Sequence, residues 1–371
     1  MMKINKHFVN RIFGALLCLF IFTCASVDSI AVPAPTKFDV VPDWPKQLPN
    51  NWIMGQVAGV DVDSKDNIWI VQRPNSLTPQ EAGLAQDPPL DDCCLPAPSV
   101  LAFDQQGNLL TWFGGKNFSG QWPQTEHGLF IDHEDNIWIA GAGNTDDVVL
   151  KLSNKGELLL QVGEYGVYGG SNDTQHLGKP TDIAVDAENN EAYISDGYRN
   201  RRIIVVDAST GEYKRHWGAY GSVPHDRPLP DYSSLAPPDS SYRSPVHAIR
   251  LSNDGHVYIA DRVNNRIQVF QKDGTFIKEA FIAPKTLDMG SVWDIELSRD
   301  PQQSMLYVAD GMNNRVWILN RHNLDVSDSL GRPGRYAGQF GWIHNVAMDS
   351  KGNLYTTEVE TGKRVQKFRP Q

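Results

Sequence analysis

From residue 55 to the C-terminus, apolar and polar residues alternate with a period of two in short runs, and each run ends in a cluster of Asp, Asn, Gly or Ser. A period of two places successive side chains on opposite faces of a strand, and the clusters supply the turns between strands. One unit recurs. A short apolar strand is followed by a polar turn and a strand rich in Ile, Trp, Tyr and Val, then by a loop, a third strand, a turn and a fourth. VHAIRL, HVYIAD, RIQVF and TFIKEAF show it most plainly, and TDIAVD, EAYISD and RIIVVD repeat it one unit earlier. Six such units of roughly 50 residues predict an all-β fold, a six-bladed β-propeller of four-stranded blades. The last unit ends after HNVAMD, NLYTTE and RVQKF. Residues 37–41 are expected to add its outer strand and close the ring, because closure removes exposed strand edges. Two proline-rich insertions, 74–98 and 219–244, interrupt the rhythm. They are too long for ordinary connections and read either as binding loops or as ornament.

Aligned on the start of the innermost strand, the six blades carry Ala58, His127, Thr181, His247, Trp293 and His344. Histidine recurs in every second blade. Alternate blades of a six-fold ring lie 120° apart, so three imidazoles converge on the axis at one height. A lone histidine at a strand start is usually a polar core or rim residue, but this periodicity points to a metal site of three neutral imidazoles, the chemistry that suits Zn²⁺. The second strand runs back to the same face of the disc. Just past its end stand Arg73 in blade 1 and Arg262 in blade 4, with Tyr198 one residue further on in blade 3. Their counterparts are Ala142, Gly197, Gly311 and Val359, so the two arginines depart from the repeat. A guanidinium can hold a carboxylate in a two-pronged grip, and a phenol beside a metal and two cations suits a general base. By contrast, Asp196, Asp261 and Asp310 recur in three blades, as do Asn200–Arg201, Asn265–Arg266 and Asn314–Arg315. They are expected to be scaffold: turn caps and surface pairs.

Composition narrows the setting. Residues 1–31 combine a basic start with a short apolar run and small residues near position 31, the pattern of an export signal, which makes 32–371 a single mature domain. Lipid anchoring at Cys24 is the less favoured alternative, and a secreted or periplasmic location is expected. No later segment is apolar enough to span a bilayer. The formal charge of −10, without a basic block, argues against nucleic acid as a partner. Beyond the leader only Cys93 and Cys94 remain. They either close a vicinal disulfide or stay as thiols, and no CxxC spacing exists for a cysteine-built zinc site.

The D-x-x-x-N-R-I/V pattern resembles NHL repeats, and the singular residues resemble the peptidyl-α-hydroxyglycine α-amidating lyases over residues 55–369. That resemblance implies an NHL-type propeller in which His127, His247 and His344 hold a catalytic zinc. It also implies a catalytic tyrosine at Tyr198 in SDGY and substrate arginines at Arg262 in IADR and at Arg73. A structural calcium would take the carbonyl oxygens of Val60 and Leu129 and a carboxylate at the position of Asn345, where the amide leaves calcium open. Trp342 replaces a methionine near the zinc, and Arg199 replaces a cysteine beside the tyrosine. The substrate implied is a peptidyl- or N-acyl-α-hydroxyglycine, cleaved at its C–N bond to an amide and glyoxylate. The monooxygenase that would supply it has no counterpart in these residues and is expected as a separate protein. The alternatives are an exported NHL propeller that binds peptide or glycan without catalysis, and a metal-dependent propeller enzyme of another substrate, such as a lactonase or a streptogramin-type lyase.

Overall fold

A computed structural model describes residues 36–371; the expected signal peptide and Cys24 lie outside the described residues. Six four-stranded antiparallel sheets form the blades of a β-propeller. Blade 1 runs Gln56–Val62, Ile68–Arg73, Val100–Phe103 and Leu109–Phe113, from the axis outwards. Blade 6 consists of Ile343–Met348, Leu354–Glu358 and Arg364–Pro370, and its outer strand is Phe38–Val41, paired antiparallel with Pro370 to Lys367. The N-terminal strand thus closes the ring as the repeat requires. No described helix is long and apolar enough to cross a membrane.

The turns explain why the strands stop where they do. At Asp63 a carboxylate oxygen accepts the backbone N–H of Lys65 and Asn67, both at 2.9 Å, and its partner oxygen accepts the indole N–H of Trp69 at 2.9 Å. Asp132, Asn136 and Trp138 repeat the arrangement in blade 2. An Asx turn fastened to the next strand fixes the hairpin register. The apolar faces form six clusters, each between neighbouring blades, such as Ile249, Val257 and Phe270 of blade 4 against Tyr193 and Ile203 of blade 3. Burial of a Val, Leu or Ile side chain stabilises by about 1.5–3 kcal/mol, so the ring is held blade by blade.

The recurrent Asp–Arg scaffold differs from expectation. These pairs are buried between the strands rather than at the surface: Arg266 Nε lies 2.7 Å from Asp261 and Arg202 Nε 2.9 Å from Asp196, with no exposure on either side chain. In blade 3 the partner is Arg202, not Arg201, because Arg201 turns outwards to the carbonyl of Arg227. In blade 5, Arg315 lies over the ring of Trp317, and Asp310 caps Asn313 and Trp317 instead. Cys93 and Cys94 are joined as a vicinal disulfide in the 74–98 insertion.

Candidate metal centre and its mouth

In five of the six blades the innermost strand slips register at the aligned position. The shifts fall between Val57 and Gly59, Glu126 and Leu129, Pro180 and Asp182, Val246 and Ala248, and Ile343 and Val346. In blade 5, Trp293 N–H and the Asp294 pairing share Ala309. A bulge re-aims the residue it contains, and here it points the aligned side chain at the axis. Gly59 and Gly128 follow the bulge where no side chain fits: a Cβ on Gly128 would sit 2.3 Å from the Thr181 carbonyl oxygen.

His127, His247 and His344 meet there. Their ring centroids are 4.8, 4.9 and 4.9 Å apart with planes crossing at 67–73°, a nearly three-fold arrangement. One ring nitrogen from each lies within 4.8 Å of the others, and all three residues are at most 2% exposed. Each Nδ1–H donates to the residue at the aligned position of the next blade. His127 donates to the Thr181 carbonyl at 2.9 Å and His247 to the Trp293 carbonyl at 2.5 Å. His344 is held by the Ala58 carbonyl and by the amide oxygen of Asn345. Fixing the proton on Nδ1 turns the Nε2 lone pair to the axis, as a metal-ligating imidazole requires. His247 Nε2 is buried with no partner. Burial, reinforced by the nearby arginines, holds all three imidazoles below the ordinary histidine range, His344 at about 3, so they are neutral. The donor set fits a metal ion.

Above the histidines stand the three other predicted residues. Tyr198 Oη lies 3.1 Å from His127 Nε2 and 3.4 Å from Arg262 Nη1. Arg262 is 6% exposed, stacks 4.6 Å over the ring of Trp293, and has a buried Nε without a partner. Arg73 is oriented by the Glu126 carbonyl at 2.6 Å and the Gln56 side chain at 2.9 Å. Among the described residues, neither arginine has a carboxylate partner, whereas Arg202 and Arg266 do. Two buried or half-buried cations without counter-ions make a receptor for an anion.

Trp293 was not foreseen as part of the site. It packs 5.7 Å from both His247 and His344 and floors Arg262. The only signal was its place in the aligned column. Trp342 packs behind it at 6.1 Å, one ring removed from the histidines. Arg199 turns away to Asp147, at 3.1 Å, and stacks on Tyr168. Both insertions leave the ring on the histidine face. The 74–98 insertion supplies Pro74, Pro96 and Pro98 to a cleft of about 570 Å³, shared with Trp52, Phe118 and Trp122. At Asn345 the side-chain oxygen accepts His344 Nδ1–H, and the NH₂ group donates to Asp294 at 3.0 Å.

The NHL repeat family model matches residues 246–270, blade 4. The sequence is 26% identical over 344 residues to peptidyl-glycine α-amidating monooxygenase B of Xenopus laevis, covering 88% of this chain and 35% of that protein. It is 27% identical over 347 residues to peptidyl-α-hydroxyglycine α-amidating lyase 1 of Drosophila melanogaster, covering 88% of this chain and 58% of that protein. The chain therefore spans about a third of the first relative and little over half of the second. Among solved structures, a streptogramin B lyase superposes with a TM-score of 0.53 at 13% identity, covering 90% of this chain and 98% of that one; this likeness extends to the fold alone.

Proposed function

We propose that this six-bladed NHL-type propeller, a relative of the amidating lyases, is a zinc-dependent lyase that cleaves the C–N bond of a peptidyl- or N-acyl-α-hydroxyglycine. The observation that carries the reading is the convergence of three neutral imidazoles, Nε2 inwards, beneath a tyrosine and two arginines that lack counter-ions. Zinc held by His127, His247 and His344 would supply Lewis acidity toward the substrate's hydroxyl or carbonyl oxygen.

The residues of the chain account for the rest. Arg262 and Arg73 bind the substrate carboxylate and fix the α-carbon over the histidines. Tyr198 takes the proton of the α-hydroxyl group. The C–O bond becomes the aldehyde of glyoxylate as the C–N bond breaks, and the proton passes to the departing amide nitrogen. Trp293 walls the site beside Arg262 and excludes bulk water, which strengthens hydrogen bonds to developing charge. The acyl part extends into the cleft beside Arg73, which is lined by Trp52, Phe118 and Trp122 and by polar groups such as Asn75 and Gln124. The export signal read in the sequence would put the enzyme outside the cytoplasm, with a monooxygenase as the source of its substrate. Incubation of zinc-replete protein with α-hydroxyhippurate tests the reading: it predicts release of glyoxylate and benzamide, and no glyoxylate above the chelated control would contradict it.

A further inference from the structure

One layer below the histidines the inner strands place acids at the axis. Asp182 follows the bulge of blade 3 and accepts the backbone N–H of Ile249 in blade 4 at 3.1 Å. Asp294 follows the bulge of blade 5 and accepts that of Val346 in blade 6 at 2.9 Å. Further down its strand, level with Glu296, the half-buried Asp61 of blade 1 accepts that of Ile131 in blade 2 at 2.7 Å. Each acid thus ties an odd blade to the adjacent even one. Side by side in a buried channel, such carboxylates repel one another and need a cation.

Arg250, from the inner strand of blade 4, lies between the acids of the two flanking blades. Its Nη1 lies 2.5 Å from Asp182 and its Nη2 3.2 Å from Asp294, and Glu296 is 4.0 Å from Nε. The side chain is 9% exposed, and those of Asp182 and Asp294 at most 1%. Burial opposes the charge on Arg250, but the carboxylates of Asp182, Asp294, Glu296 and Asp61 outweigh it and hold the guanidinium protonated. Asn345 completes the network. It donates to Asp294 and accepts from His344, a pairing that only an amide makes; an aspartate there would set two carboxylates against each other. One oxygen of Asp182 and one of Asp294 face Arg250 and a backbone N–H, and the other oxygen of each is buried without a hydrogen-bond partner, so the positive charge that balances them is the Arg250 guanidinium; the carbonyls of Val60 and Leu129 offer a divalent ion no charge.

We infer that Arg250 is the resident cation of the axial channel, holding the blades together where calcium would otherwise be needed. The inference stands apart from the catalytic reading, because it concerns the layer below the histidines and is read out without turnover. Protein equilibrated with calcium, desalted and measured by mass spectrometry is expected to carry no stoichiometric calcium and to melt at one temperature in calcium and in EGTA. One calcium per chain, or a higher Tm in calcium, would overturn the inference. Arg250→Ala is expected to lower Tm by about 6–10 °C, the effect of orphaning a buried charge in a chain of this size. Calcium should restore part of that loss, since it can then reach Asp182 and Asp294. An unchanged Tm, or a loss that calcium leaves untouched, would also contradict it. If that variant does not fold, Asp182→Asn/Asp294→Asn/Arg250→Ala removes acids and base together and should recover a folded ring. Its failure to do so would place the role of Arg250 elsewhere.

Discussion

The Nδ1–H of His127 donates to the carbonyl oxygen of Thr181 at 2.9 Å, and Thr181 is the residue that occupies the position of His127 in the neighbouring blade. His247 and Trp293 repeat the relationship, as do His344 and Ala58. The odd blades orient the imidazoles that the even blades contribute. A metal site built this way is set by the spacing of the ring rather than by any one loop.

The side chain that assists this orientation is Asn345. Asn345→Ala keeps the Ala58 carbonyl as an acceptor but loses the amide. Metal affinity is expected to fall by about tenfold, the lower end of the about 10–100-fold typical of partners behind a ligand. Competition against a chromogenic chelator measures it. His344→Ala removes a ligand outright and should abolish stoichiometric metal with little effect on folding.

Arg262 lies between Trp293 and Tyr198, where a planar guanidinium stacks and an ammonium does not. Arg262→Lys is therefore expected to lose nearly as much as Arg262→Ala, about 10²–10³-fold in kcat/KM on α-hydroxyhippurate. Arg73, held by Gln56 and the Glu126 carbonyl, should behave similarly. A lysine variant of Arg262 with wild-type kinetics would remove the carboxylate grip from the account.

Tyr198→Phe removes a proton acceptor without disturbing the ring. It should lower kcat by about 10²–10⁴-fold, the range of general acid–base catalysis, with metal content unchanged. A KM effect alone would assign Tyr198 to binding.

Asp61 carries a pH signature. Burial pushes its carboxyl up to about 6 despite the attraction of Arg250, whereas an unfolded chain releases that proton near 3.8. Between those values the native state binds the extra proton, so this contribution to stability is complete below the lower value and is lost as pH rises through the upper one. Asp61→Asn is expected to gain in Tm on the wild type at about pH 7.5 relative to about pH 4.5. A difference that does not change with pH would show that Asp61 titrates normally.

The ring, its closing strand and the three histidines were legible in the sequence because blades are geometrically equivalent. Spacings that look arbitrary, His127 to His247 to His344, become one height on one axis. Arg73, Arg262 and Tyr198 were legible as departures from the same repeat, and the structure brings them to one mouth. What stayed hidden rests on atoms or directions that sequence does not carry. The acceptors for Nδ1 are backbone carbonyls. Trp293 becomes a wall because Arg262 folds onto it. Arg201 and Arg202 exchange roles because of a slip of one residue in the loop before the third strand. Arg250 read as an unremarked strand residue, since the acids it meets come from two other blades.

The central claim is that His127, His247 and His344 form one metal centre. Anomalous diffraction at the zinc edge from crystals grown with zinc tests it most directly. The account predicts a single axial peak about 2.0–2.1 Å from the Nε2 atom of each of the three histidines. No peak among them, or zinc bound only through Nδ1 or elsewhere on the ring, would contradict it.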